Sequence, residues 1–379
     1  MSLRPVTPPA TIGMIGGGQL GRYALMAATA MGYRTMLLEP DPSAPAGQVA
    51  GEHVVAPYDD PRALDRLGFD CDVVTVEFEN PPADALDMLA AMVPVAPSPS
   101  AVRIAQDRIA EKAFLREQGF PVGPFDILDS SRSDPEPKIV DGGAIVKTAR
   151  LGYDGKGQRT VHSVAETLAA WAELGAVRCV VEERLDLGAE ISVLAARRRD
   201  GKSVVWPATQ NTHVNGILDL SVVPPTGVSL DLVDRAEGLA LAIADALDYV
   251  GVLGVEFFVV GDEIFVNELA PRPHNSGHWT IDAATTSQFE QQIRAICGLG
   301  LGGTDLVSGG AAMVNLLGDL WEHGEPNWAA ALDEPRAALH LYGKSEPRPG
   351  RKMGHLTVTA DDPRVAAANA LAVRSALVA

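Results

Sequence analysis

The chain has 379 residues, of which 46% are hydrophobic and 21% charged, and its formal net charge is −18 at pH 7. This length predicts two or three domains, and the composition is ordinary for a globular protein. Such an acidic chain disfavours nucleic acid and anionic membranes as partners, so any anionic substrate must meet locally placed Lys and Arg side chains.

The cysteines and the apolar runs indicate a cytoplasmic protein. Cys71, Cys179 and Cys297 are far apart, form no metal-ligand spacing and are expected to be reduced thiols. No apolar run is long enough to span a bilayer, and the N-terminus shows no signal-peptide pattern. We therefore expect neither a membrane nor nucleic acid among the partners.

A glycine-rich turn opens the N-terminal part of the chain. Residues 16–21, Gly-Gly-Gly-Gln-Leu-Gly, lie between a predicted strand over residues 11–15 and a helix predicted from residue 19 to about 31. This pattern is the dinucleotide-binding fingerprint, and Glu39 ends the next strand where a ribose-binding acid would lie. A nicotinamide-dependent oxidoreductase is therefore one interpretation. A tight turn for close packing and an anion-binding helix N-terminus are the others.

A polar segment then follows an apolar strand. The predicted strand over residues 73–76 ends in Glu77-Phe-Glu-Asn80, and ligands of open α/β sheets bind at such carboxyl ends. The alternative is a polar strand end that caps the Pro81-Pro82 turn. Three prolines between residues 94 and 99 then indicate a linker, so we place the end of the N-terminal unit at residue 106.

The central part contains a second glycine-rich segment. Residues 98–119 are predicted to form one helix, which contains Arg108. Lys147 is the one charge in a predicted strand over residues 144–148, and a run over residues 152–158, Gly-Tyr-Asp-Gly-Lys-Gly-Gln, follows. This run lacks the spacing of a Walker A motif, but glycine amides and a lysine suit phosphate oxygens. A flexible hairpin loop and a lysine that reaches solvent are the alternatives.

Two carboxylates interrupt the apolar strands of a predicted hairpin over residues 255–269. Glu256 and Glu268 lie in these strands, where an unpartnered carboxylate is costly and where Mg²⁺ would find oxygen ligands. A two-residue turn at residues 261–262 would pair Glu256 with Asn267. A three-residue loop, or a bulge with the same effect, would pair Glu256 with Glu268, and we expect this second register. Two solvated acids are the alternative.

Cationic and polar side chains follow the hairpin and recur near the C-terminus. Pro271 and Pro273 stiffen a segment that also carries Arg272, His274 and Asn275, which suits an anionic substrate. The densest basic cluster follows a predicted strand over residues 337–342 and consists of Lys344, Arg348, Arg351 and Lys352. In so acidic a chain this cluster predicts an anion site, and a solvated loop is the alternative. A terminal helix is predicted from about residue 363.

These motifs together resemble a known family. The run over residues 267–279, Asn-Glu-Leu-Ala-Pro-Arg-Pro-His-Asn-Ser-Gly-His-Trp, is similar to the metal-binding hairpin and following loop of ATP-grasp enzymes. In detail it resembles the 5-(carboxyamino)imidazole ribonucleotide synthetase family, and the resemblance covers nearly the whole chain in six motifs. It implies an α/β ATP-grasp fold with a Rossmann-like (pre-ATP-grasp) domain at residues 1–106, an ATP-grasp domain at residues 107–300 and a small β-rich domain at residues 301–379.

The resemblance also implies a reaction. ATP, bicarbonate and 5-aminoimidazole ribonucleotide would give the carboxyamino product, ADP and phosphate through carboxyphosphate, in a cytoplasmic homodimer. Mg²⁺ would bind Glu256 and Glu268. The catalytic residues implied are Arg272, His274, Asn275 and Lys156. Whether His274 accepts a proton or only positions bicarbonate does not follow from the sequence.

The implied binding residues fall into two sets. Those for ATP are Arg108, Lys147, Gly152, Tyr153, Asp154, Gly155, Lys156, Gly157, Gln158, Glu182, Glu183, Arg184, Leu185, Glu190, His213, Asn267 and Glu268. Those for the ribonucleotide are Gln19, Leu20, Glu77, Asn275, Lys344, Arg351 and Lys352. Arg184 departs from the family, which has apolar residues at this position, and a lone His213 is more often structural.

Two rival functions stay open at this point. A formate-using glycinamide ribonucleotide transformylase shares the fold and the phosphate cluster, but the run from His274 to Trp279 argues against it. A nicotinamide-dependent oxidoreductase would explain the N-terminal glycines but would leave Glu256 and Glu268 without a role.

Overall fold

The N-terminal part is a parallel α/β unit. The computed structural model describes residues 4–131, 137, 142–152 and 157–378. The parallel sheet has the order β3-β2-β1-β4. Its strands are β1 Thr11–Ile15, β2 Arg34–Leu38, β3 Glu52–Val54 and β4 Val73–Val76. The helices are α1 Gln19–Ala30, α2 Pro61–Asp70 and α3 Ala83–Ala90. Because the carboxyl ends of β1 and β4 lie side by side, the glycine turn and the segment after Val76 meet at one edge.

The single helix predicted over residues 98–119 is in fact two helices. They are α4 Pro99–Ala105 and α5 Arg108–Glu117. The break lies at Asp107. Its carboxylate accepts the Ile109 and Ala110 N–H groups at 3.0 and 3.3 Å and so caps the start of α5. The cap places Arg108 at the first position of α5, and its backbone N–H donates to the Ala149 carbonyl at 2.8 Å.

A small antiparallel sheet follows. Its order is β5-β8-β6-β7 among the described residues. The strands are β5 Phe125–Leu128, β6 Ala144–Thr148, β7 Gln158–Val161 and β8 Cys179–Glu183, and α6 Val164–Glu173 packs beside them. The sheet buries Leu128, Val146 and Val181 on one face. The strand predicted at residues 144–148 is confirmed.

A large antiparallel sheet forms the body of the rest of the chain. Its order is β14-β13-β9-β11-β12-β15-β17-β16, with β10 paired to β9. The strands are β9 Ala189–Arg197, β10 Ser203–Val205, β11 Thr209–Val214, β12 Ile217–Val223, β13 Gly251–Val260, β14 Glu263–Ala270, β15 Gly310–Leu317, β16 Ala337–Leu341 and β17 Lys352–Ala360. The helices are α7 Leu230–Ala246, α8 Thr280–Ala283, α9 Gln288–Ile296, α10 Trp328–Leu332 and α11 Pro363–Ala376.

The large sheet runs across the boundary predicted at residue 300. β12 pairs with β15, so strands from the predicted C-terminal unit continue the central sheet. The boundaries at residues 106 and 300 therefore stay predictions. The sheet is covered on both faces: α7 buries Ala236, Ala240 and Ile243 against β9 and β13, and Trp206 and Trp279 are buried in a separate apolar cluster. Each large apolar side chain buried in this way contributes roughly 1.5–3 kcal/mol.

Within the part of the chain that the structure describes, no helix has the length and apolar character needed to cross a membrane.

Candidate active site

One cleft collects most of the predicted site residues. It has a volume of about 840 Å³ and lies between the small sheet, the large sheet and the glycine turn. The predicted residues that line it are Gln19, Leu20, Arg108, Lys147, Gln158, Glu190, His213, Glu256, Asn267, Glu268, Arg272, His274, Asn275, Lys344, Arg351 and Lys352. These residues come from all three predicted units, so the chain folds to bring distant motifs to one place.

Other predicted residues are not among the cleft-lining residues of the described chain. They are Glu77, Gly152, Gly157, Glu182, Glu183, Arg184 and Leu185. Tyr153, Asp154, Gly155 and Lys156 lie outside the described residues. The Gly152 carbonyl accepts from the Arg108 guanidinium at 3.2 Å, so the start of the glycine-rich segment lies beside the cleft.

The hairpin of β13 and β14 pairs Glu256 with Glu268, as expected. The three-residue loop that we considered for this register is wrong. Val260 pairs with Glu263, so the turn has two residues, and Gly261 takes a φ of +58° within it. A bulge in β14 then shifts the register, so that Asn267 is the extra residue and the two glutamates face each other.

This carboxylate pair has the chemistry of a cation site. Burial, and then the neighbouring Glu268, raise the pKa of Glu256 to about 7. Arg108 donates to Glu268 Oε2 at 2.7 Å, and Asn267 donates to Glu256 Oε2 at 3.3 Å. The Asn267 Oδ1 atom is buried without a protein partner among the described residues. Two facing carboxylates and an amide oxygen are hard donors, and they fit Mg²⁺.

A buried ion-pair network lies behind Lys147. Glu182 lies between the Lys147 Nζ atom at 2.7 Å and the Lys112 Nζ atom at 3.1 Å. Although burial alone would raise the pKa of Glu182, the two ammonium groups lower it to about 2. The backbone N–H groups of Glu183 and Arg184 donate to the Pro124 and Gly143 carbonyls, so these amides are already bonded.

Sequence reasoning missed Lys112. Only one signal pointed to it: Lys112 lies four residues after Arg108 on the same helix, so both side chains share one face. Its side chain is 3% exposed, and its ion-pair partner Glu182 lies 70 positions later in the chain. No local sequence pattern predicts a contact between residues so far apart in the chain.

Arg272 is held in place by a glutamate of the N-terminal unit. The Arg272 Nε atom donates to Glu79 Oε2 at 2.7 Å, and both side chains line the cleft. Burial would raise the pKa of Glu79, but the guanidinium outweighs it and lowers this pKa to about 2. Sequence reasoning selected Glu77 and missed Glu79, although both belong to the same polar strand end.

His274 and Asn275 lie next to the Glu256–Glu268 pair. His274 Nε2 is 3.5 Å from Glu256 Oε1. Burial, and then the nearby Arg272 and Lys352, lower the pKa of His274 to about 3, so the imidazole is neutral at physiological pH. Both amide atoms of Asn275 are buried without a protein partner among the described residues, and Asn275 lines the cleft. These polar atoms are available to a ligand.

A buried glutamine clamps the backbone of His274. Gln288 Oε1 accepts the His274 N–H at 2.7 Å, and Gln288 Nε2 donates to the His274 carbonyl at 2.8 Å. Gln288 is fully buried and begins α9. Its two bonds fix the position of the histidine, and nothing in the sequence pattern identified it.

The glycine turn is closed by carboxylates. Gly17 donates to Glu39 Oε2 at 2.7 Å, and Gly18 and Gly21 donate to the two oxygens of Glu77 at 2.7 and 3.0 Å. Tyr58 also donates to Glu39 Oε2, at 2.6 Å. These are the amides that a dinucleotide pyrophosphate would need. The dinucleotide interpretation therefore has no support in the structure, and Glu77 has both oxygens committed to the turn.

Two further groups complete the cleft. Glu190 Oε2 lies 3.0 Å from His213 Nδ1, so His213 is paired with the acid assigned to the ribose. In the basic cluster, Lys344 donates to the Lys352 carbonyl at 2.7 Å and Arg351 donates to the Glu346 carbonyl at 2.8 Å. These bonds hold the cluster loop together, and Lys344, Arg351 and Lys352 line the same cleft as Gln19.

A cluster of histidines packs beside the cleft but has poor geometry for a metal. Ligand atoms of Asp282, His340 and His355 lie within 4.8 Å of one another. However, the His340 and His355 rings stack 4.5 Å apart at 15°, and His278 stacks on the other face of His355 at 1°. Lone pairs of parallel imidazoles point along parallel planes and do not converge on one ion. The stack is a packing feature.

Comparison with protein families identifies the class of enzyme. An ATP-grasp domain family matches residues 113–289, and a ribonucleotide synthetase preATP-grasp domain family matches residues 9–106. A phosphoribosylaminoimidazole carboxylase C-terminal domain family matches residues 311–369. The chain is therefore an ATP-dependent ligase of the ATP-grasp class, and the predicted fold is confirmed.

Individual relatives narrow the class to one family. The chain is 47% identical to an N5-carboxyaminoimidazole ribonucleotide synthase of Brucella melitensis over 94% of this chain and 98% of the relative. The crystal structure of the synthetase from Thermus thermophilus is 42% identical, with a TM-score of 0.86 over 97% of this chain and 98% of that one. The Aspergillus clavatus synthase in complex with ADP and 5-aminoimidazole ribonucleotide is 28% identical, with a TM-score of 0.86 over the same shares. The chain belongs to the N5-carboxyaminoimidazole ribonucleotide synthase family, as the resemblance predicted.

Proposed function

We propose that the chain carboxylates 5-aminoimidazole ribonucleotide with bicarbonate at the expense of ATP, giving 5-(carboxyamino)imidazole ribonucleotide, ADP and phosphate. The observation that carries this proposal is the content of one cleft. A facing carboxylate pair, a cationic centre at Arg272 and a basic cluster lie on the walls of the same cavity of about 840 Å³. The relative from Aspergillus clavatus binds ADP and 5-aminoimidazole ribonucleotide, the product and the substrate that these features suit.

The ATP end of the cleft would use the small sheet and the hairpin. Lys147 and Arg108 supply positive charge for the phosphates, and Glu190 suits the ribose hydroxyls. Glu256, Glu268 and Asn267 would hold Mg²⁺, which when bound neutralises charge on the phosphates during phosphoryl transfer. Arg108 already compensates the charge of Glu268 at 2.7 Å, so this side chain links the carboxylate pair to the nucleotide.

The bicarbonate end would use the segment after the hairpin. Arg272, held by Glu79, attracts the anion, and the unpartnered amide of Asn275 offers hydrogen bonds. Transfer of the γ-phosphoryl group to bicarbonate gives ADP and carboxyphosphate. Carboxyphosphate then breaks down to phosphate and CO₂, and the exocyclic amine of the ribonucleotide captures the CO₂ as a carbamate with loss of a proton. A closed site protects carboxyphosphate from water.

The ribonucleotide would bind between the glycine turn and the basic cluster. Lys344, Arg351 and Lys352 would hold its 5′-phosphate by charge-assisted bonds. Gln19 and Leu20 line the same cleft and suit the base and the ribose. A homodimer in the cytoplasm belongs to the same proposal, and sedimentation of the purified protein tests the assembly.

One assay tests the function. ADP release is measured with ATP, Mg²⁺ and four additions: bicarbonate alone, aminoimidazole ribonucleotide alone, both together, and formate with glycinamide ribonucleotide. We expect fast ADP release only when bicarbonate and aminoimidazole ribonucleotide are both present. Fast release in the formate reaction would instead assign the transformylase function and overturn the proposal.

A further inference from the structure

The imidazole of His274 ends a buried chain of hydrogen bonds that reaches across the large sheet. His274 Nδ1 lies 2.8 Å from Ser276 Oγ, and Ser276 Oγ lies 2.7 Å from Ser192 Oγ. Asn211 Nδ2 donates to Ser192 Oγ at 2.9 Å, and Ser221 Oγ donates to Asn211 Oδ1 at 2.8 Å. The four residues that continue this chain beyond the histidine are at most 7% exposed. Burying polar groups costs free energy unless they are hydrogen-bonded, and a fully bonded chain holds its side chains in one arrangement.

Each hydroxyl in this chain has one proton to donate and can accept two hydrogen bonds, so the bond between Ser276 Oγ and Nδ1 can run in either direction. In one direction, Ser276 donates to Nδ1 and every other donor points toward the histidine. In the other direction, Nδ1 carries the proton and donates to Ser276. The backbone N–H of Ser276 decides between them, because it lies 3.4 Å from Nδ1 and can only donate. Nδ1 is therefore the acceptor, and the ring proton is on Nε2.

The position of that proton defines what His274 offers to the cleft. Nε2 is the atom that faces Glu256 Oε1 at 3.5 Å, and His274 lines the cleft together with Arg272. We propose that His274 is a neutral Nε2–H hydrogen-bond donor to an oxygen of bicarbonate and of carboxyphosphate, and not a proton acceptor. The backbone N–H of Ser276 fixes this tautomer, and the side chains of Ser276, Ser192 and Asn211 are positioning residues that hold the ring in place. The identity of the acceptor rests on the proposed function, and the tautomer does not.

The tautomer is measured directly on the unmodified protein. ¹⁵N-histidine labelling and long-range ¹H–¹⁵N correlation distinguish Nε2–H from Nδ1–H, and the His274→Asn variant identifies the signals of this residue by their loss. We expect the Nε2–H pattern without any substrate. An Nδ1–H pattern would overturn the proposal. Because no turnover is needed, this result is independent of whether the ADP-release assay supports the proposed function.

A single isosteric change breaks the chain while keeping its shape. In Asn211→Asp the side chain only accepts, so Ser192 turns its proton toward the new carboxylate and no longer donates to Ser276, while the backbone N–H of Ser276 still holds Nδ1 as the acceptor. We expect the Nε2–H pattern to remain and kcat to fall roughly tenfold or more, because the ring loses part of its support. The matched control is Asn315→Asp, which makes the same buried change at a residue bonded to the Leu218 carbonyl. Equal kcat in the two variants, or an Nδ1–H pattern in Asn211→Asp, overturns the proposal.

A second variant covers the case in which Asn211→Asp does not fold. Ser276→Ala removes the hydroxyl donor and leaves the backbone N–H on Nδ1, so we expect the Nε2–H pattern to remain. We also expect a fall in kcat of roughly tenfold or more as the ring loses its orientation, with little change in the KM for ATP. Wild-type kcat in Ser276→Ala would show that the chain does not position the catalytic histidine, and it would overturn the proposal.

Discussion

The glycine turn and the β13–β14 hairpin each contain two glutamates, and they use them in opposite ways. In the turn, Glu39 and Glu77 accept the amides of Gly17, Gly18 and Gly21. In the hairpin, Glu256 and Glu268 face each other across a bulge and line the cleft. The first pair has its donors inside the protein. The second pair repels itself, and burial and this repulsion raise the pKa of Glu256 to about 7.

This difference distinguishes a carboxylate that stabilises the fold from a carboxylate that is available to bind a ligand. A carboxylate whose oxygens accept backbone amides stabilises a turn and uses part of its hydrogen-bonding capacity there. A buried acid that faces a second acid gains most from a cation. The amides of Gly17, Gly18 and Gly21 are thus bonded within the protein, although the sequence pattern suggested a dinucleotide site. Four changes test how far this distinction holds.

The largest effect is expected from Glu268→Gln. The change keeps the size of the side chain but removes one anionic donor from the carboxylate pair. Because removal of an outer partner of a metal site costs about 10- to 100-fold, loss of a direct ligand should lower kcat by more than about 100-fold. The measurement is ADP release at ordinary Mg²⁺, together with the thermal unfolding midpoint, which should change little.

Glu263→Gln is the matched control, because Glu263 is an exposed acid of the same strand. It should leave both kcat and the unfolding midpoint unchanged. Near-normal activity of Glu268→Gln would remove the assignment of a metal to the hairpin and with it the contrast between the two regions.

A smaller effect is expected from Arg351→Ala in the basic cluster. Loss of one charge-assisted bond of about 1.5–3 kcal/mol should lower kcat/KM for aminoimidazole ribonucleotide by roughly 10- to 100-fold. The KM for ATP should barely move, because the cluster serves the other end of the cleft. Arg351→Lys should recover only part of the loss if the contact is bidentate. Steady-state kinetics with each substrate varied in turn provides the test.

Arg336→Ala is the control, since Arg336 pairs with Asp361 on the surface of the same part of the chain. If the KM for ATP rises in step with that for the ribonucleotide in Arg351→Ala, the cluster belongs to the nucleotide side.

Glu39→Gln examines the turn itself. The change leaves the Gly17 N–H and the Tyr58 hydroxyl with a poorer acceptor, so the free energy of unfolding should fall by about 1–3 kcal/mol with little change in kcat. Urea unfolding and ADP release measure the two quantities. Glu52→Gln in the neighbouring strand β3 is the control.

Titration of the unmodified protein with NAD and NADP should show no saturable binding. Micromolar binding of either would support the dinucleotide interpretation of the turn.

The smallest effect concerns buried polar groups that neither line the cleft nor bond internally. Both ring nitrogens of His278 lack a protein partner among the described residues, and burial holds its pKa well below the ordinary value. As the pH falls below about 6.5, His278 binds a proton in the unfolded chain but not in the folded protein. The free energy of unfolding therefore falls. Relative to the unmodified protein, His278→Asn should gain about 1.4 kcal/mol in its free energy of unfolding for each pH unit below that value.

Urea unfolding at about pH 7.5 and about pH 5.5 measures this difference. The exposed His323→Asn is the control and should follow the unmodified protein at both pH values. A constant gap between His278→Asn and the unmodified protein would mean that the histidine titrates normally in the fold.

Much of the fold was predictable because its signals are local. The strand over residues 144–148, the pairing of Glu256 with Glu268 and the terminal helix all followed from runs of apolar residues and their interruptions. The register also shows the limit of such signals. The pairing was predicted, but the bulge at Asn267 that produces it was only one of two alternatives, because sequence spacing does not distinguish a longer turn from an extra strand residue.

The sequence by itself determined which motifs exist and to which family they belong, since both are read from residues that are neighbours in the chain. Only the tertiary structure decided which distant side chains contact the residues of these motifs. Glu79 meets Arg272 across 193 positions, and Lys112 reaches Glu182 from another element. The tertiary structure likewise decided that the glycine amides are occupied and that the proton of His274 lies on Nε2. Hydrogen bonds and ion pairs are satisfied by whichever group the fold brings within reach, and that choice is made by the packing of distant segments.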